Sequence, residues 1–92
     1  MIEKRVTVTN RLGLHARAAA RLVQMATRFH SDVRLERVDD SATADAKSIL
    51  NVLMLAATSG TELSVRAEGV DEGAAIAALS ELFSNGFGET EK

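Results

Sequence analysis

From its first residues the chain alternates. Ile2, Lys4, Val6 and Val8 share one face of an extended segment, and Glu3, Arg5, Thr7 and Thr9 share the other. The first face is mostly apolar, which predicts a half-buried strand. Turn chemistry follows at Asn10-Arg11-Leu12-Gly13. The period then becomes helical over residues 16–28. Ala19, Leu22, Val23 and Ala26 form one stripe, with Arg17, Arg21, Gln24 and Arg28 off it. Arg28 and His30 are expected at the negative pole of that helix, His30 on the solvent side. Alternation returns over residues 32–37, with Val33 and Leu35 on one face. Asp39-Asp40 marks a turn, and residues 41–44 complete a hairpin as a short strand.

The next apolar run, Ile49-Leu50-Asn51-Val52-Leu53-Met54-Leu55, follows Asp45 and Ser48, either of which suits a helix cap. Val52, Leu55 and Ala56 are expected to face the core. Ile49, Leu50 and Leu53 then fall on a different arc and form an exposed apolar patch of the kind that marks a partner site. The alternative is a short helix buried on all sides. Ser59-Gly60 is a turn. Leu63, Val65 and Ala67 alternate as a strand that ends at Glu68-Gly69. Asp71 and Glu72 open a last helix whose stripe is Ala75, Ile76, Leu79, Leu82 and Phe83, and Asn85-Gly86 closes it. Strand, helix, strand, strand, helix, strand, helix predicts an α+β fold, with one antiparallel or mixed sheet and helices on a single face. Residues 1–88 read as one domain, and the polar residues 89–92 as a tail expected to fray.

Composition narrows the function. A chain of 92 residues buries one modest core. A net charge of −2 is a poor match to the basic face that nucleic-acid binding needs, and 3% aromatics argues against base-stacking platforms. The absence of Cys removes disulfides, thiol catalysis and thiolate metal sites. Two His residues without ligand-like spacing argue against a metal, and no cofactor is expected. Met1 leads into charged Glu3, Lys4 and Arg5, and the apolar stretch 49–57 is far short of the roughly 20 residues a membrane span needs. A cytoplasmic location is expected.

The candidate chemistry lies in Gly13-Leu14-His15-Ala16-Arg17. His15 stands at a strand-to-helix junction, where a helix N-terminus leaves backbone N–H groups unpaired and favours an anion. Arg17 adds a fork of donors suited to phosphate oxygens. An imidazole titrates near neutrality, so its nucleophilic form is at hand. A nucleophile beside an anion cradle is what a transient phosphohistidine requires. The plain alternative is a capping His beside a solvated Arg.

Together with Lys47-Ser48-Ile49, Gly60-Thr61 and Ala67-Glu68-Gly69, these residues give a chain that resembles the histidine-containing phosphocarrier (HPr) family of the bacterial phosphoenolpyruvate-dependent phosphotransferase system. The resemblance runs from Val6 to about Phe83. It implies an open-faced β-sandwich: a four-stranded antiparallel sheet with three helices on one face, in the order βαββαβα. It further implies that His15 accepts a phosphoryl group on Nδ1 from enzyme I and passes it to an enzyme IIA domain, with Ala16 and Arg17 at the phosphoryl group. The implied docking surface is Ala20, Arg21 and Gln24 with Ile49, Leu50 and Leu53. Ser48 matches the position that a dedicated HPr kinase/phosphorylase modifies in many members. Such a protein is a carrier and not an enzyme, and a monomer suits its shuttling.

Three positions depart from the family pattern. Ala18 stands where Pro is usual, the hairpin after residue 37 is about two residues longer, and Ser84-Asn85-Gly86-Phe87 is closer to the nitrogen-branch paralogue NPr. The rival reading is a regulatory HPr-like or NPr-like partner-binding module not coupled to sugar uptake. The presence of both His15 and Arg17 favours the carrier.

Overall fold

The structure, a computed structural model, describes residues 1–89. Its elements are β1 (Ile2–Thr7), α1 (Ala16–Ala26), β2 (Asp32–Arg37), β3 (Thr43–Asp45), α2 (Ile49–Met54), β4 (Glu62–Glu68) and α3 (Glu72–Ser84). A 3₁₀ turn, Gly86–Gly88, follows. The period-2 segments pair in the order β1-β4-β2-β3, antiparallel throughout. Ile2 lies opposite Ala67 and Thr7 opposite Glu62, while Val33 and Leu35 face Ala67 and Val65 from the other side.

That register turns Val6, Val33, Leu35, Ala44, Leu63, Val65 and Ala67 into one buried layer. Leu22 of α1, Val52 of α2 and Ile76, Leu79 and Phe83 of α3 join the same core. The other sheet face is polar. There Arg66 bridges Glu3 at 3.1 Å and Glu36 at 3.2 Å. This is the α+β arrangement that the order of elements predicts. Among the described residues no helix is long and apolar enough to cross a membrane.

Several expectations are corrected. α1 ends at Ala26 with Thr27 as its C-cap, so Arg28 and His30 lie past the last turn, which holds no basic residue. Ala18 is fully buried while Val23 is only half-buried, so the apolar stripe is rotated toward the helix start. Ala56 does not face the core: it is exposed, with φ +52°, because the chain reverses there after α2. The third strand is shifted by a residue or two from the expected 41–44. Leu82 is half-buried. Phe87, outside every predicted stripe, is buried edge-on against Phe83, ring centroids 5.0 Å apart. Glu89, placed in the fraying tail by sequence, instead hydrogen-bonds two side chains. Residues 90–92 of that tail lie outside the described residues.

α3 is tied to the turn after α1 by Asp71. Its carboxylate accepts from the Ser31 hydroxyl at 2.5 Å and from the backbone N–H groups of His30 and Ser31, each at 2.9 Å. These bonds, led by the Ser31 hydroxyl, lower its pKa from 3.8 to about 2. A depressed carboxyl stabilises the fold above its unfolded value, and that contribution is lost as pH falls through the folded value. Asp71→Ala should therefore melt lower than the native protein above pH 4. The gap should close as pH is taken down toward 2. Thermal scans across that range measure it, and a gap independent of pH would exclude the carboxylate as its source.

Candidate functional site

The site begins where β1 runs out. The Val8 N–H donates to the Thr61 carbonyl at 2.9 Å, Gly60 N–H to Val8 O at 2.7 Å, and Leu14 N–H to Ala57 O at 2.9 Å. These bonds clamp the loop of residues 9–14 to the loop before β4. Within it, Gly13 takes φ +68° and its N–H closes a turn onto Asn10 O at 3.1 Å. Asn10 is 2% exposed, and its Nδ2 donates to Gly13 O at 2.7 Å.

The loop delivers His15 as the N-cap of α1, with extended φ −77° and ψ −178°. Its Nδ1 accepts from the Arg17 N–H at 3.4 Å, and its carbonyl accepts from Ala19 N–H at 2.8 Å. Nδ1 thus faces the unpaired donors at the start of α1. On the other side of the ring, Nε2 lies 2.7 Å from Oε2 of Glu89. Oε1 of the same carboxylate accepts from Asn10 Nδ2 at 3.1 Å. Burial pushes the Glu89 carboxyl up, but hydrogen bonds from His15 and Asn10 and the charges of His15 and Arg17 outweigh it. The net shift is downward.

Glu89 gets there because Phe87 anchors the chain. Phe87 packs on Phe83, and Arg21 of α1 donates to the Phe87 carbonyl. The result is an open cleft of about 720 Å³ lined by Leu12, His15, Ala16, Arg17, Arg21, Gly88 and Glu89. The imidazole is 29% exposed, so an incoming group can reach it.

The other predicted residues surround this cleft. Ala20 is half-buried on α1, and Arg21 and Gln24 are exposed. On α2, which packs beside α1, Ile49 is exposed, Leu50 is 69% exposed and Leu53 is at the exposed margin. Met54, at 78%, extends this apolar surface. Arg37 Nη1 donates to Leu55 O at 2.9 Å and closes the C-terminal end of α2. Ser48 is the N-cap of α2, its Oγ accepting from Asn51 N–H at 3.3 Å. It does not line the cleft around His15.

The sequence pattern marks Asn10 and Leu12 only as turn residues and Glu89 only as tail, and does not assign them or Gly88 to the site. One signal was present for Glu89. Gly86-Phe87-Gly88 offers an aromatic between two residues free to adopt left-handed backbone, a pattern that turns a chain back onto a core.

Residues 2–85 match the family described as "PTS HPr component phosphorylation site". The phosphocarrier protein HPr of Xylella fastidiosa strain Temecula1 is 51% identical over 89 residues, covering 97% of this chain and 98% of its own. The crystal structure of HPr-C-His from Thermoanaerobacter tengcongensis superposes with a TM-score of 0.92 at 40% identity, over 99% of this chain and all of that one. A structure described as an HPr dimer from the same organism gives 0.76 at 40% identity, over 97% of this chain and all of that one.

Proposed function

The chain belongs to the HPr family of phosphotransferase-system phosphocarriers, and from that premise we propose that His15 is the residue that takes up and releases the phosphoryl group. The protein is a phosphoryl carrier and not an enzyme. Phosphoryl transfer asks a protein for in-line positioning and charge stabilisation more than for covalent work. The Nδ1 lone pair attacks phosphorus on phosphorylated enzyme I. The Nδ1–P bond forms as the bond to the enzyme I donor breaks. The backbone donors at the start of α1, Ala16 and Arg17 among them, and the Arg17 guanidinium then face the phosphoryl oxygens. The same bond breaks in turn when an enzyme IIA domain takes the group.

The observation that carries this reading is the N-cap geometry. Nδ1 lies 3.4 Å from the Arg17 N–H at the mouth of an open cleft. Docking falls to the exposed face beside it: Arg21 and Gln24 with the edge of Ala20 on α1, and Ile49, Leu50 and Leu53 on α2. Both partners use this one face in turn, which suits a cytoplasmic monomer. Incubation with enzyme I and labelled phosphoenolpyruvate should place an acid-labile, base-stable label on His15. No label with the cognate enzyme I would sink the proposal.

Ser48 is the regulatory position in this reading, modified by an HPr kinase/phosphorylase. A phosphate there adds about two negative charges next to the apolar α2 surface, while still favoured by the start of the helix. Ser48→Asp should lower affinity for enzyme I and the enzyme IIA partner by about tenfold and leave the fold unchanged, since Asp also caps helices. Titration calorimetry checks it; native affinity in the variant would count against the role.

A further inference from the structure

The resemblance and the N-cap account for one side of the His15 ring. The other side is held by a group that neither explains. Oε2 of Glu89 sits 2.7 Å from Nε2. An ionised carboxylate only accepts hydrogen bonds, so Nε2 must carry the proton. The Arg17 N–H pointing at Nδ1 demands the same tautomer from the opposite side. The Glu89 side chain is 12% exposed, and its second oxygen is fixed by the buried Asn10 amide. The carboxylate is therefore built into the site on two anchors and is not a passing surface contact.

We propose that Glu89 is a positioning residue for phosphoryl transfer: its carboxylate holds the proton on Nε2 of His15 and so reserves the Nδ1 lone pair for phosphorus. The proposal rests on His15 being the phosphoryl acceptor. The balance of the step shows what Glu89 supplies. When Nδ1 attacks, the Nδ1–P bond forms, the donor–P bond breaks, and no proton has to leave the attacking atom. The ring then bears the phosphoryl group on Nδ1 and the proton on Nε2, and is positive. The adjacent carboxylate compensates that charge. On release the Nδ1–P bond breaks to a neutral imidazole, with the proton still on Nε2. A ring without that proton would have to leave as an anion. The other charged groups lining the cleft are the guanidinium groups of Arg17 and Arg21, and neither can accept this proton.

The test begins on the unphosphorylated protein. Nitrogen NMR of the His15 ring should show an almost pure Nε2–H tautomer in the native chain and a mixture in Glu89→Ala. Glu89→Gln, whose amide oxygen can still accept, should retain the native tautomer. The rate of transfer from phosphorylated enzyme I should fall roughly tenfold in Glu89→Ala, with KM for enzyme I unchanged. A native tautomer or a native transfer rate in Glu89→Ala overturns the proposal. His15→Ala, run alongside, separates the two readings. Label persisting on His15→Ala refutes the acceptor itself, whereas full-rate labelling of Glu89→Ala with none on His15→Ala refutes only the role of Glu89.

Discussion

His15→Ala is expected to take no label from enzyme I and phosphoenolpyruvate, yet to remain folded. The loss should be complete because the reacting atom itself is removed. His30 lies away from the cleft lining, at the turn where Asp71 binds its backbone N–H. The cost to the fold should be small. The His15 ring is partly solvated, and what it gives the structure is one cap hydrogen bond and one contact to Glu89. Losing a cap costs about 1 kcal/mol, which in a chain of this size lowers the melting midpoint by about 4–8 °C. His15→Asn removes even that ambiguity, since Asn is a good N-cap and a poor nucleophile. It should melt near the native temperature and still carry nothing. Circular dichroism melts beside the labelling assay decide the matter. A His15→Asn variant that cannot fold would make this residue a structural one.

The second large effect belongs to Gly13→Ala. Gly13 sits at φ +68°, and a Cβ there would lie 2.5 Å from the Ala57 carbonyl oxygen and 2.9 Å from Thr58 Cα. Both obstacles are backbone, so neither can rotate away. The Ala57 carbonyl is also the acceptor for the Leu14 N–H, one residue before His15. Left-handed strain and the forced separation of the two loops together should cost about 2–4 kcal/mol. The midpoint should fall by about 10 °C or more. Transfer should fall at least about tenfold even below the melt, because His15 is displaced from the start of α1. Gly60→Ala is the control. Gly60 has a similar φ of +92°, but nothing stands within 4 Å of its Cβ position. It should show the strain without the clash, at about 1–2 kcal/mol. Equal melts for the two variants would contradict the close approach at Gly13.

What the sequence reveals and conceals here follows from where each residue finds its partners. Val33 and Leu35, or Leu22 and Ala26, are read from local period because a strand or helix shows its buried face within a few residues. The separate arc of Ile49, Leu50 and Leu53 is legible for the same reason, and those side chains lie outside the core. Ala18 escapes notice because a methyl group barely marks a face, although it is fully buried in the first turn of α1. Ala56 misleads in the opposite sense. Helical spacing places it inward, but α2 stops at Met54 and the chain turns left-handed two residues later. Phe87 and Glu89 depend on contacts with Phe83, Arg21, Asn10 and His15. Most of those partners are far away in the chain, and no periodicity reports them. His15 is therefore legible from its neighbours in sequence, and the group holding the far side of its ring is not.

The pairing of β1 with β4 also sets the order in which the surroundings of His15 can assemble. On the ribosome the first strand emerges without a partner, since Ile2 must wait for Ala67 and Val8 for Thr61. Leu14 must wait for Ala57, and the far side of the His15 ring for Glu89. Contacts so distant along the chain form late and slowly compared with local ones. A half-made chain therefore has His15 and its local contacts to Arg17 and Ala19, but neither the clamp from Ala57 and Thr61 nor the Glu89 carboxylate. The frame around the His15 ring is complete only when Ala57, Thr61 and Glu89 have reached residues 8–15.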